Sequence, residues 1–144
     1  DCVPILFHDP GQAVVGVAHA GCRGTVQGAG RSVVEVMTDA FGSDPADIRA
    51  GIGPSIGPDC FQVGEEVVAT FEDYFGADSN LYKRDPADGT AYINLWKANE
   101  IDLRRAGVQH IEVAEICTAS NTGEFFSHRA EKGKTGRFGA VISL

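Results

Sequence analysis

The chain has 144 residues, 43% hydrophobic and 22% charged, with 20 acidic against 12 basic residues and a net charge of −8. That length suits one domain with a buried core, and the composition is globular rather than disordered. An acidic balance without a Lys/Arg cluster argues against nucleic acid or an anionic membrane as the main partner.

No apolar run approaches the roughly 20 residues of a membrane span, and no basic-then-apolar leader is visible. The first residue is Asp rather than Met, so a natural N-terminus upstream is expected. Cys2, Cys22, Cys60 and Cys117 are scattered with no CxxC pair. In a chain of this size they read as reduced thiols in a cytoplasmic setting.

In chain order, VPILF (3–7) and AVVGVA (13–18) are short β-branched runs bounded by turn residues, hence two strands. Both faces of each are apolar, which predicts a sheet covered on both sides. Thr25 to Phe41 follows a helical period through Val26, Gly30, Val33, Met37 and Ala40, with Thr25 as N-cap and Gly42 just past the end. Asp44-Pro45-Ala46-Asp47 is a capped turn, Ile48–Ile52 a brief strand, and GPSIGPDC a loop. Gly64–Phe75 is a second helix, with Glu65 and Glu66 where the helix dipole favours anions. SNLYKRDPADGT is a polar loop, Ala91–Asn94 a strand, and Leu95–Ala106 a helix stopped by Gly107. Three more strands are predicted at His110–Ile116, Phe125–Arg129 and Phe138–Leu144. Interleaved strands and helices with antiparallel hairpins give an α+β class of mixed α/β layers: a mixed sheet with covering helices.

If Pro10-Gly11 is the centre of the first turn, Asp9 faces Gln12 and Cys2 lies directly opposite His19. Their Cβ atoms would then be about 5 Å apart on one face, close enough to share a metal ion or a proton. A slip of one residue would separate them. Gly21 and the start of a helix follow, and a helix N-terminus favours a thiolate, a phosphate or an oxyanion. Arg23 adds a fixed cation whose planar fork suits phosphate. The alternative is plain packing, with a small buried thiol and a satisfied imidazole. Two ligands are also fewer than the three a catalytic zinc takes from protein.

The blocks DCVPILFHD, VVGVAHAGCRG, GIGPSIGPDCFQVGEEV, CT and FFSHRA…TGRFGAVI, collinear over nearly the whole chain, resemble the laccase-domain family. Its members are labelled polyphenol oxidase or YfiH-like purine nucleoside phosphorylase. The resemblance implies a YfiH-like, cytotoxic-necrotizing-factor-like α/β sandwich. It also implies a cytoplasmic enzyme with zinc held by one Cys and two His, acting on purine nucleosides and phosphate. The activities implied are phosphorolysis of adenosine, inosine and methylthioadenosine, and deamination of adenosine.

Carried over residue by residue, the likeness makes Cys2 and His19 the zinc ligands and places both, with Arg23, at the catalytic centre. Arg23, Ser55 and Arg129 are then the substrate-binding candidates. The remaining zinc His of the family lies in an upstream Q-V-H-G motif absent here, so the chain reads as the C-terminal part of a longer protein. Departures are Cys22 for the usual Trp, His128 for an aromatic, and Ala130 for an Arg, with Arg129 kept.

Other assignments compete. Cys2 as nucleophile with His19 as base would make a hydrolase or amidase. A module with an incomplete ligand set would be inactive. A copper oxidase needs many histidines, and this chain has four. Cys60 reads as packing, His8 as solvent-facing, Trp96 as core, and Thr118 as part of a matched block.

Overall fold

The first turn sets the register of everything that follows. In the computed structural model, which describes residues 1–144, β1 (Val3–Asp9) and β2 (Val14–Ala20) are joined by four residues, not two. Asp9 is buried, and its Oδ1 accepts from Gly11 N at 2.8 Å and Gln12 N at 3.1 Å. This side-chain turn replaces a tight Pro-Gly hairpin. The two extra loop residues move the pairing by two, so His19 faces Pro4 and Val3 faces Ala20. The direct opposition of Cys2 and His19 is corrected to a diagonal one. An even shift leaves each side chain on its face.

β1 alternates accordingly. Val3, Ile5, Phe7 and Asp9 are buried, whereas Pro4, Leu6 and His8 are only half-buried. β3 (Arg49–Ile52) pairs antiparallel with β1, and β7 (His110–Val113) pairs parallel with β3, giving the mixed sheet β2-β1-β3-β7. A second small sheet, β4-β6-β5, is built from β4 (Gln62–Val63), β5 (Tyr82–Arg84) and β6 (Ala91–Ile93). β4 and β5 were not foreseen, β5 falling inside the predicted polar loop. Their runs of two and three residues are too short to show alternation.

The helices are α1 (Cys22–Val26), α2 (Ala29–Phe41), α3 (Glu65–Phe75) and α4 (Leu95–Arg105). α2 buries Gly30, Val34 and Met37, a helical stripe, and joins Ile5, Phe7, Ile52 and Leu103 in one core cluster. Each such large side chain contributes roughly 1.5–3 kcal/mol through burial. Gly30 permits the approach, since a Cβ there would lie 3.2 Å from Leu103 Cδ2 and 3.3 Å from Ile5 Cδ1. Asn94 caps α4 by accepting from Lys97 N at 2.9 Å.

Three expectations are corrected. The helix predicted from Thr25 is two helices: α1 begins at Cys22, and Gly28 in the left-handed region (φ 70°) breaks it from α2. Thr25 does not cap. Its hydroxyl donates backwards to the carbonyls of Ala20 and Gly21 at 3.2 and 2.9 Å. Phe125–Arg129 and Phe138–Leu144 are not strands. Local bonds such as Phe125 N to Asn121 O and Gly133 N to His128 O coil residues 121–135 into turns. The rest of the segment runs along the sheet's free face rather than adding to an edge. Finally, helices cover one face of that sheet only. On the other, Val17 of β2 is 53% exposed. No helix is long and apolar enough to cross a membrane.

Two left-handed glycines should respond differently to alanine. At Gly42 (φ 73°) no atom lies within 4 Å of a new Cβ, so Gly42→Ala costs only the left-handed penalty, about 1–2 kcal/mol. At Gly28 the same Cβ would lie 2.8 Å from Arg31 Nη2 and 3.0 Å from Tyr74 Oη. It would disrupt the chain from Arg31 to Tyr74 (2.6 Å) and on to buried Asp102 (2.9 Å). Urea denaturation should show Gly28→Ala as the costlier change, and equal losses would refute the contact.

Candidate functional site

Gly21 links β2 to α1 with φ −66° and ψ −176°, a backbone any residue adopts. Its lack of a side chain is therefore about space. A Cβ at this position would lie 2.8 Å from Cys2 Sγ and 3.9 Å from His19 Nε2. The thiol and the imidazole thus converge on the point that the glycine keeps clear. Both side chains are exposed. A thiol and an imidazole are donor types that suit zinc. No third His, Cys, Asp or Glu joins them as a metal-holding group.

The pair opens into a cleft of about 510 Å³ on the sheet's free face. Pro4, Val17 and His19 form its floor, and the C-terminal segment supplies the far wall with Phe126, His128, Thr135, Arg137 and Phe138. Phe126 and Phe138 are 49% and 40% exposed, leaving apolar surface for a flat ligand. Phe138 is held edge-on against Phe125, centroids 5.6 Å apart.

Asp1 fastens this wall. Its Oδ1 accepts from Thr118 Oγ1 at 2.7 Å and Ser127 Oγ at 2.8 Å, and its Oδ2 from Arg129 N at 2.7 Å. Thr118 and Ser127 are fully buried, so the carboxylate serves donors that water does not reach. Sequence reasoning missed Asp1. The available signal was its place beside Cys2, with its partners in the CT and FFS blocks. Further along, Glu131 accepts from Ser127 N at 2.8 Å and from Thr135 Oγ1. The Thr135 and Ser127 bonds hold its carboxyl below the usual carboxylate range.

Other nominated residues lie elsewhere. Ser55 is fully buried, accepting from Trp96 Nε1 at 2.7 Å and donating to Gly53 O at 3.3 Å. Arg129 directs its guanidinium away from the cleft, donating to Gln62 O at 2.9 Å and lying over the Phe61 ring at 5.5 Å. Arg23 is exposed on α1 and does not line the cleft. Arg137, not nominated, does. Cys22 is half-buried, and burial pushes its thiol up against the opposing pull of Arg23. His8 and His110 flank Arg49 in a separate depression.

Two tests follow from this geometry. Gly21→Ala leaves the backbone unstrained but displaces the Cys2 sulfur, so the Cys2 alkylation rate should change with little loss of stability. An unchanged rate would contradict the convergence. A depressed carboxyl at Glu131 contributes stability above the usual carboxylate range that is lost as pH falls through its folded value. The protection of the Ser127 amide, corrected for the intrinsic exchange rate, should therefore fall on acidification through and below the usual carboxylate range. Glu131→Gln should show fast exchange at neutral pH and no such acid step.

A family model described as "Multi-copper polyphenol oxidoreductase laccase" matches residues 1–144. Purine nucleoside phosphorylase YlmD of Bacillus subtilis is 38% identical over 146 residues, covering 100% of this chain and 52% of that protein. Adenosine deaminase RL5, from an unknown prokaryotic organism, is 40% identical over 139 residues, covering 95% and 53%. The crystal structure of YlmD from Geobacillus stearothermophilus superposes with a TM-score of 0.87 at 40% identity, over 94% of this chain and 51% of that one. A Bacillus licheniformis protein, YfiH, gives 0.87 at 39%, over 94% and 52%. The chain thus spans about half the length of the curated relatives it matches. With its sequence matched from end to end and its fold shared with YlmD and YfiH, the chain belongs to the laccase-domain family.

Proposed function

We propose that residues 1–144 form the C-terminal part of a zinc-dependent purine nucleoside enzyme, with the remaining metal ligand contributed from outside these residues. The convergence of Cys2 and His19 on the space above Gly21 carries this reading. Relatives named as purine nucleoside phosphorylase and adenosine deaminase support it. The donor set fits zinc in kind, and at two donors it falls short in number, matching a chain about half as long as those relatives. When bound there, zinc would supply Lewis acidity to a phosphate or to an attacking water.

The chain's own residues define the rest of the chemistry. Phe126 and Phe138 offer apolar faces for a purine. Arg137, on the same wall, provides a cation for phosphate. Its Nη1 also donates to Gly136 O at 2.9 Å, which fixes the side chain near its own backbone. In phosphorolysis a phosphate oxygen bonds to the ribose anomeric carbon as the bond to the purine nitrogen breaks. The electron pair leaves with the base, which then takes a proton. His128, in the cleft and outside the ligand pair, is the group able to deliver it. Deamination of adenosine and phosphorolysis of inosine or methylthioadenosine use the same base-binding walls.

Readings in which Cys2 is a free nucleophile, or in which the ion is copper, have less support. Of the four histidines, only His19 and His128 reach the cleft, too few for a multicopper centre.

The test is zinc content and inosine phosphorolysis, measured on the chain alone and with whatever residues its gene places before Asp1. Zinc and turnover should be highest in the longer form, and Cys2→Ala and His19→Ala should abolish both. Arg137→Ala should raise KM for phosphate about ten- to a hundredfold, the equivalent of about 1.5–3 kcal/mol for a charged hydrogen bond. Neither metal nor turnover in the longer form would overturn the proposal.

A further inference from the structure

Away from the cleft, two more cysteines meet. Cys117 bridges to Ser55 in a short parallel contact, so the 116–120 segment lies against the 53–60 loop. Its Sγ accepts from Gly57 N at 3.2 Å. Glycine is required for that approach, because a Cβ at residue 57 would lie 3.0 Å from Cys117 Cβ and 3.2 Å from its sulfur. Ser120 Oγ contacts both sulfurs, 3.4 Å from Cys60 Sγ and 3.5 Å from Cys117 Sγ. Both thiols are half-buried, hence partly open to small oxidants.

We propose that Cys60 and Cys117 are a redox-active dithiol that closes to an intramolecular disulfide on exposure to peroxide. Both sulfurs touch the same hydroxyl, and closure asks only for rotamer changes that set them at disulfide geometry. The roles are unequal. Burial disfavours the Cys117 thiolate, but hydrogen bonds from Ser120 and from Gly57 N–H outweigh it and bring that thiol below its ordinary value. At Cys60 the Ser120 bond also lowers the thiol, yet burial and the neighbouring Cys117 sulfur together push it up. Cys117, whose sulfur alone takes a backbone N–H bond from Gly57, is the attacking sulfur and Cys60 the resolving one.

The Cys117 thiolate attacks one oxygen of hydrogen peroxide, the O–O bond breaks, and a sulfenic acid and hydroxide form. The Cys60 sulfur then bonds to the sulfenic sulfur as the S–O bond breaks. Its proton and the one released earlier by Cys117 leave in two molecules of water. Two thiols are oxidised and one peroxide is reduced, and an added dithiol reverses the change. The bond would tie the 53–60 loop to the segment carrying Thr118, the residue that donates to Asp1.

The experiment is limited peroxide treatment of the reduced chain, then thiol blocking and mass spectrometry of non-reduced peptides. A Cys60–Cys117 linked peptide, cleaved by dithiothreitol, is expected, with Cys2 and Cys22 still alkylatable. Cys117 should react about tenfold faster than Cys22, whose thiol is pushed up by burial. Hydrogen exchange at Thr118 N, bonded to Ser55 O at 3.1 Å, should slow in the oxidised form. Cys60→Ser should accumulate a dimedone-reactive Cys117. Independent alkylation of Cys60 and Cys117 after peroxide, or a dominant disulfide through Cys2 or Cys22, would overturn the proposal. The wild-type readout decides even if a variant fails to fold.

Discussion

The Asp1 carboxylate is the tie on which the cleft depends. The sheet contributes Cys2 and His19 from adjoining strand ends, but the opposite wall has no strand or helix to fix it. It is a run of turns, and three bonds from Thr118, Ser127 and the Arg129 backbone to one carboxylate hold it against the hairpin. Two of those donors are fully buried hydroxyls. Without an acceptor each would carry an unmet desolvation cost of about 1–3 kcal/mol. A single acidic residue beside the thiol therefore does what a strand pairing would otherwise do.

A second constraint is the buried Asp9 turn. By taking two backbone N–H groups into its carboxylate, Asp9 lengthens the loop and sets the hairpin register. His19 then faces Pro4, and Cys2 is brought level with Gly21, the one residue that leaves room for its sulfur. Turn chemistry at one end of the hairpin thus decides whether thiol and imidazole meet at the other. Glycine recurs with the same logic at residue 57, where a missing side chain lets a backbone N–H reach a sulfur.

What the sequence revealed follows from how local each signal is. α3 and α4 were readable because their signals are local: Glu65 and Glu66 in the first turn of one, and Gly107 just past the last turn of the other. The shared face of Cys2 and His19 was readable because parity survives an even slip. Register was not, since nothing in Pro10-Gly11 announces that Asp9 folds back on the turn. Thr25 was misread as a cap because its hydroxyl has acceptors behind it as well as donors ahead. The apolar runs at Phe125 and Phe138 satisfy a strand pattern, yet their partners are a carboxylate far away in sequence and a sheet face rather than an edge. For the same reason Arg129 matched a motif while its guanidinium serves the backbone of Gln62, and Arg137 drew no notice.

The cleft is assembled from the first few residues and from residues near position 140. Contacts this distant in sequence are slow to form and come after local helices and hairpins. A molecule spanning both walls would stitch the beginning of the polypeptide to its end, and by linkage its binding energy would be shared by every element between them. Occupancy of the cleft and integrity of the whole fold are then one equilibrium seen from two sides.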